Sequence, residues 1–170
     1  MKISRILVPT LLVALALALA PQSRAAGSNG DDESSRQSTS RPAAASVVDR
    51  DYLAGKRAIA AKQWQRARGH LQQSAARRPA SADTQNLLGY VFRQIGDLRS
   101  AFIHYRKALA LEPNHRGALE YQGEGYLQVD NLDGAKANLI RLGRICAYDC
   151  EEYRDLDSAI RKYRRRNPSG

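Results

Sequence analysis

The chain has 170 residues, of which 43% are hydrophobic and 26% charged, the make-up of one small soluble domain accompanied by segments outside its core. With 27 basic and 17 acidic residues it carries a formal charge of +10. A basic balance of that size suits nucleic acid, but the N-terminal segment argues against that partner.

Lys2 and Arg5 precede an apolar run from Ile6 to Ala20, and the polar stretch after it ends in Ser23-Arg24-Ala25, a small-x-small pattern. Residues 1–25 are therefore expected to be a secretory signal peptide. The cut is placed after Ala25, because a cut after Ala20 would leave Pro21 beside the scissile bond. The apolar run is about 15 residues, short of the roughly 20 that span a bilayer, so a cleaved leader is expected and no stable membrane insertion after cleavage. No cysteine lies near the junction to accept a lipid. Loss of Lys2, Arg5 and Arg24 with the signal leaves +7 on the mature chain. In an exported protein, periplasmic in a Gram-negative bacterium, acidic envelope polymers or acidic protein partners fit that charge better than nucleic acid.

Residues 26–46 include Gly27-Ser28-Asn29-Gly30, Asp31-Asp32-Glu33 and Ser34-Ser35 and show no apolar period. Such a stretch buries too little apolar surface to offset its ordering entropy, and it is expected to be a disordered linker.

From Val48 to Asp149 the chain repeats every thirty-four residues. The middle copy carries Leu88-Gly89, Phe92, Gly96-Asp97, Ala101, Tyr105, Ala108 and Pro113. One period earlier stand Ala54-Gly55, Ala58, Ala67, Leu71, Ser74 and Pro79; one period later, Gln122-Gly123, Tyr126, Ala135, Leu139 and Leu142. This pattern resembles the tetratricopeptide repeat family, whose signature the middle copy carries nearly in full. The resemblance implies an all-α fold: a right-handed α-solenoid of three helix hairpins over residues 47–166, with repeats 48–81, 82–115 and 116–149.

The residues give physical reasons for the same pattern. Gly55, Gly89 and Gly123 sit mid-helix, where glycine costs about 1 kcal/mol relative to alanine. Close approach of the second helix would compensate, with Ala67, Ala101 and Ala135 as the facing small residues and Phe92, Tyr105, Tyr126 and Leu139 filling the space beside them. The turns read Lys62-Gln63-Trp64, Gly96-Asp97-Leu98 and Asp130-Asn131-Leu132, each a polar or turn-forming pair before a large apolar residue that docks into the hairpin. Pro79 and Pro113 end the second helices of the first two copies. Tyr153, Leu156, Ile160 and Tyr163 then recur at helical spacing, so 151–165 reads as a capping helix over the exposed face of the last repeat, followed by a flexible tail, 167–170. Arg161, Lys162, Arg164, Arg165 and Arg166 suit the C-terminal end of its dipole, or form a basic binding patch.

In the family, the first helix of each pair lines a concave groove. Carried over by position, the groove would present Asp49, Tyr52, Lys56 and Ile59, then Asp83, Asn86, Tyr90 and Arg93, then Glu120, Tyr121, Glu124 and Gln128. Tyr52, Lys56, Asn86, Tyr90, Arg93, Glu120, Tyr121 and Glu124 are the candidate partner-binding residues. Tyrosine offers a large contact area at little rotamer cost, although the same rings can pack between helices. Glu120 and Glu124, one turn apart, either read a basic ligand or pair with neighbouring arginines such as Arg93, and internal pairing is the expectation. Family members that grip C-terminal carboxylates use Lys and Asn in the first copy, Asn in the second, and Lys and Arg in the third. The corresponding positions here hold Tyr52, Lys56, Leu87, Gly117 and Tyr121, so that clamp is absent.

Cys146 and Cys150 are the two cysteines and fall where the third copy lacks its terminating proline. In an oxidising compartment they point to a disulfide fixing the entry of the cap, with the helix broken between them. Reduced packing cysteines, or a redox or metal site, are the alternatives. The spacing is not that of the thioredoxin motif, and His70, His104 and His115 are distant in sequence.

No activated nucleophile, acid–base pair, phosphate loop or metal-ligand spacing stands out. His70 and His104 occupy equivalent repeat positions and do not converge. The expectation is a non-catalytic scaffold holding a protein or peptide in its groove, with no enzyme activity, no cofactor, no metal and no nucleic acid; a homodimer is left open. The alternatives are a binder of acidic glycan or lipid through the basic face, and a thiol-redox protein using Cys146 and Cys150.

Overall fold

The computed structural model describes residues 49–168. The expected signal peptide and linker lie outside the described residues. Among the described residues seven helices follow one another: α1 (Arg50–Ala60), α2 (Trp64–Arg77), α3 (Ala82–Gln94), α4 (Leu98–Leu111), α5 (Arg116–Gln128), α6 (Leu132–Cys146) and α7 (Glu151–Arg166). Among the described residues there is no strand.

Local chemistry sets the helix starts. The side chains of Asp49, Ser81, Asp97, His115 and Asn131 each accept a hydrogen bond from the backbone N–H three residues on, at 2.9, 3.2, 3.0, 3.1 and 2.8 Å, satisfying one donor that a helix N-terminus leaves orphaned. The hairpin turns share one conformation. Lys62, Gly96 and Asp130, one period apart, all take left-handed backbone at φ 55°, 85° and 56°, which glycine adopts freely and the other two at some cost. Trp64, Leu98 and Leu132 then open the second helices.

The helix ends differ between copies. Helices α2 and α4 stop at Arg77 and Leu111, two residues before Pro79 and Pro113. Helix α6 has no such proline, and its end is made by two successive left-handed residues, Ala147 at φ 50° and Tyr148 at φ 66°. The Tyr148 ring folds back into the space left by the missing side chain of Gly143.

One expectation about packing is corrected. The side chains nearest the mid-helix glycines are not Ala67, Ala101 and Ala135; the glycines make room for large side chains. A Cβ on Gly55 would lie 2.7 Å from Leu71, and one on Gly89 2.5 Å from the Tyr105 ring. In the third copy the occupant comes from outside the hairpin: a Cβ on Gly123 would lie 2.6 Å from Leu156 of α7. The three alanines are nonetheless fully buried in the same interfaces.

Polar contacts repeat too. His70 Nδ1 lies 3.1 Å from Asp51, and His104 Nδ1, one period on, lies 2.8 Å from Gln85. A further period gives Asn138, whose Nδ2 donates to the Leu119 carbonyl at 2.9 Å and to Gln122 at 3.0 Å. These side chains tie the two helices of each hairpin together, which accounts for both histidines without chemistry.

Each hairpin stacks on the next, with α2 against α3, α4 against α5 and α6 against α7. The first helices also touch in succession, α1 with α3, α3 with α5 and α5 with α7, whereas α2, α4 and α6 do not touch one another. The side on which successive helices lie closer is the inner side of the curve. Helix α7 thus occupies the place of a first helix of a fourth hairpin. The buried apolar residues form two clusters, one of Ala58 to Tyr105 within α1–α4 and one of Leu119, Ala135, Leu142, Leu156 and Ile160 within α5–α7.

Candidate partner-binding groove

The inner side presents two groups of the expected groove residues. At its N-terminal end Tyr52 is half-buried, with Lys56 Nζ 5.8 Å from its ring centroid. Burial, and then the charge of Asp83, raise the Tyr52 phenol above its ordinary pKa.

The second group is a continuous stack spanning α3 and α5. Tyr90 meets Trp64 edge-on at 6.1 Å and Tyr121 at 4.8 Å, measured between ring centroids. The Arg93 guanidinium lies 5.5 Å from the Tyr90 ring and 5.9 Å from the Tyr121 ring, close enough for cation–π attraction to both. Its NH2 atom sits 2.5 Å from Glu124, the internal pairing expected from the spacing. Arg93 is only 9% exposed, so this pair is worth far more than a surface bridge if broken, because each partner would strand the other's charge. Tyr90 and Tyr121 are half-buried and pack against the first core cluster and each other, with Tyr121 also lining a cavity where α5 meets α7.

Glu120 does not join that pairing. It is 8% exposed and forms no ion pair among the described residues. Burial first, then the charges of Glu124, Asp155 and Glu152, push its carboxyl up to about 8, with Arg93 opposing. Burial, followed by Glu120, pushes the Tyr121 phenol up to about 12. Beside Glu120, Asn86 is buried at 6% exposure and its Oδ1 accepts no hydrogen bond.

These two residues line a cavity of about 220 Å³ whose other walls are Leu87 of α3, Gly117 and Tyr121 of α5, and Glu151, Glu152 and Asp155 of α7. The last three are groove residues that reading the sequence missed. The signal was present: stepping one more period from Gly117 and Tyr121 lands on Glu151 and Asp155. Treating 151–165 only as a cap hid the fact that a cap stacked like a first helix also lines the groove.

Other expected groove residues are structural. Asp49 caps α1, accepts the Ser74 hydroxyl at 2.7 Å and lies 3.6 Å from Arg77, and the Ser74 bond foremost holds its carboxyl below the usual range. Asp83 accepts from His115 Nε2 at 3.1 Å. Ile59 packs on the first core cluster, and Gln128 is exposed.

Cys146 and Cys150 are joined as a disulfide with Cα atoms 5.8 Å apart, inside the range such bonds need. The helix is broken between them, α6 ending at Cys146 and α7 starting at Glu151. Cys150 is 6% exposed and Cys146 half-buried. Among the described residues no cluster of His, Cys, Asp and Glu is arranged to hold a metal, and no helix is long and apolar enough to cross a membrane.

No protein-family model matches the chain, and no curated protein matches it in sequence. Solved structures do match in fold. The Arabidopsis OM64 tetratricopeptide repeat domain superposes with a TM-score of 0.60 at 16% identity, covering 66% of this chain and 93% of that one. The first such domain of Spaghetti (RPAP3), bound to the HSP90 peptide SRMEEVD, gives 0.62 at 13% identity over 70% of this chain and 91% of that one. PcrH, in complex with the chaperone binding region of PopD, gives 0.60 at 18% identity over 68% and 90%. At these identities the likeness is one of fold, and the fold is the tetratricopeptide repeat solenoid.

Proposed function

We propose that this chain is a non-catalytic scaffold that holds a segment of a partner protein along the inner face of α1, α3, α5 and α7, and that it works in the envelope of an exporting bacterium. The observation that carries the reading is the inner surface that presents Lys56 and Tyr52 at its N-terminal end, then the Tyr90, Tyr121 and Arg93 stack, then the acidic cavity at α7. It combines aromatic contact area with fixed charges of both signs, the mixture that gives a protein interface its affinity and register. Two fold neighbours were solved with a peptide or a protein region bound, which supports use of the same architecture for binding. The envelope setting rests on the leader-like composition of residues 1–25.

A photocrosslinking residue at Lys56, exposed on α1, should capture a discrete partner in cells, while one at Ile140, exposed on the outer helix α6, should not. Equal capture from both positions would remove the groove from consideration. Export is read separately, by recovery of the mature chain with Ala26 at its N-terminus.

A further inference from the structure

The charge of the whole chain and the charge of its groove have opposite signs where α5 meets α7. We propose that the cavity between Asn86, Gly117, Glu120 and Asp155 is a subsite for a lysine or arginine side chain of the bound segment. This rests on the groove reading above and names the chemistry of what the groove selects.

Four carboxylates, Glu120, Glu151, Glu152 and Asp155, border one cavity of about 220 Å³. Of these only Glu152 has a cation within reach among the described residues, Arg116 at 3.5 Å. Arg93, the other nearby cation, is occupied by Glu124 at 2.5 Å. Glu151 and Asp155 therefore give the cavity negative charge that the protein itself does not neutralise.

An acidic cluster alone could be a solvated helix end. The second observation is Asn86, 6% exposed, whose Oδ1 has no donor although its side chain lines the same cavity. A buried acceptor left unmade costs the fold its full desolvation penalty, and a ligand donor would recover it by turning the amide half a turn, so that Oδ1 faces the cavity. The position facing the Asn86 amide nitrogen is Gly117, where a Cβ would come within 3.1 Å of Nδ2, so the absence of a side chain there keeps the cavity open.

The walls fit an amphipathic cation. Leu87 and Tyr121 offer apolar surface for a methylene stem, while the head meets the carboxylates of Glu151 and Asp155, acceptors matched to an ammonium or guanidinium that only donates. Burial, followed by the neighbouring carboxylates, holds the proton on Glu120, and an incoming cation would favour its release. The HSP90 peptide SRMEEVD on the fold neighbour has the opposite charge at its C-terminal end, so like architecture here would select a different class of segment.

The test is a titration of the full chain with Nα-acetyl-lysine methylamide and its arginine counterpart, followed through the Asn86 side-chain amide and the Gly117 backbone signal by NMR. Both should shift these signals, and the isosteric norleucine derivative should not. Glu120→Gln combined with Asp155→Asn should weaken binding about tenfold. Gly117→Ala, which keeps every charge and favours the helix, should weaken it as well. The proposal falls if norleucine shifts the same signals, if neither variant changes the affinity, or if methylammonium binds as tightly as the lysine derivative, which would make this a small-cation site. Partner capture at Lys56 with a silent cavity would overturn this subsite and leave the groove reading intact; lysine binding without capture would do the reverse.

Discussion

Helices α1–α4 and α5–α7 complete their cores in different ways. In the first pair of hairpins, Gly55 and Gly89 are filled by Leu71 and Tyr105 from the second helix of the same copy, so each copy supplies both halves of its own contact. In the third copy Gly123 is filled by Leu156, from a helix that belongs to no repeat. The cap is therefore half of the last core and not a lid placed on a finished one. It follows that a period strict enough to define repeats need not define the units of stability.

The largest expected effect tests that division. Leu156→Ala removes a fully buried side chain from the Gly123 gap and should cost about 3–4 kcal/mol. Hydrogen exchange should show lost protection in α5–α7 with α1–α4 retained; uniform loss would mean the two clusters form one cooperative unit. In the N-terminal region, Gly89→Ala should cost about 2 kcal/mol by forcing a methyl into the Tyr105 ring. Gly69→Ala, also within a helix but with nothing within 4 Å, should instead gain about 0.5–1 kcal/mol. Denaturant midpoints of the two variants should move in opposite directions.

At the junction, Cys146→Ser opens a loop of sequence separation 4 and should cost about 2 kcal/mol in the chain-entropy picture. The loss should appear mainly in α7 and vanish when wild type and variant are compared in reductant. The effect confined to one pH window concerns Glu120, whose carboxyl stands at about 8 in the fold against its ordinary 4.5. Between those values the folded state keeps a proton that the unfolded state has released, so stability falls as pH rises across the window. Glu120→Gln should therefore raise stability by about 1–2 kcal/mol near pH 8 and change little near pH 4, as read by thermal melts. A flat difference across pH would show that Glu120 is already neutralised, and would also weaken the case for its cavity.

Much of the scaffold was legible because each signal is local. The turn triplets, Pro79 and Pro113, and the apolar spacing of Leu156 and Ile160 act within a few residues of themselves. The Arg93–Glu124 pair was also within reach, since one period and one helical turn bring the two sides together. What failed was the partner of each glycine: a gap in one helix says that something large or close must fill it, and not from which helix it comes. The acidic cavity was hidden for the same reason, and the net charge pointed toward acidic partners while the groove beside α7 carries carboxylates.

The repeat, its hairpins, the break at Cys146 and Cys150, and a cap can all be read along the chain, because periodicity, turn chemistry and helix stops are properties of neighbouring residues. That α7 takes the place of a fourth inner helix emerges only when the helices are packed. That placement seats Leu156 against Gly123 and sets Glu151 and Asp155 beside Glu120 and Asn86. Both depend on how helices distant in sequence stack, and stacking is fixed by side-chain volume across the interface, which no single stretch of chain contains.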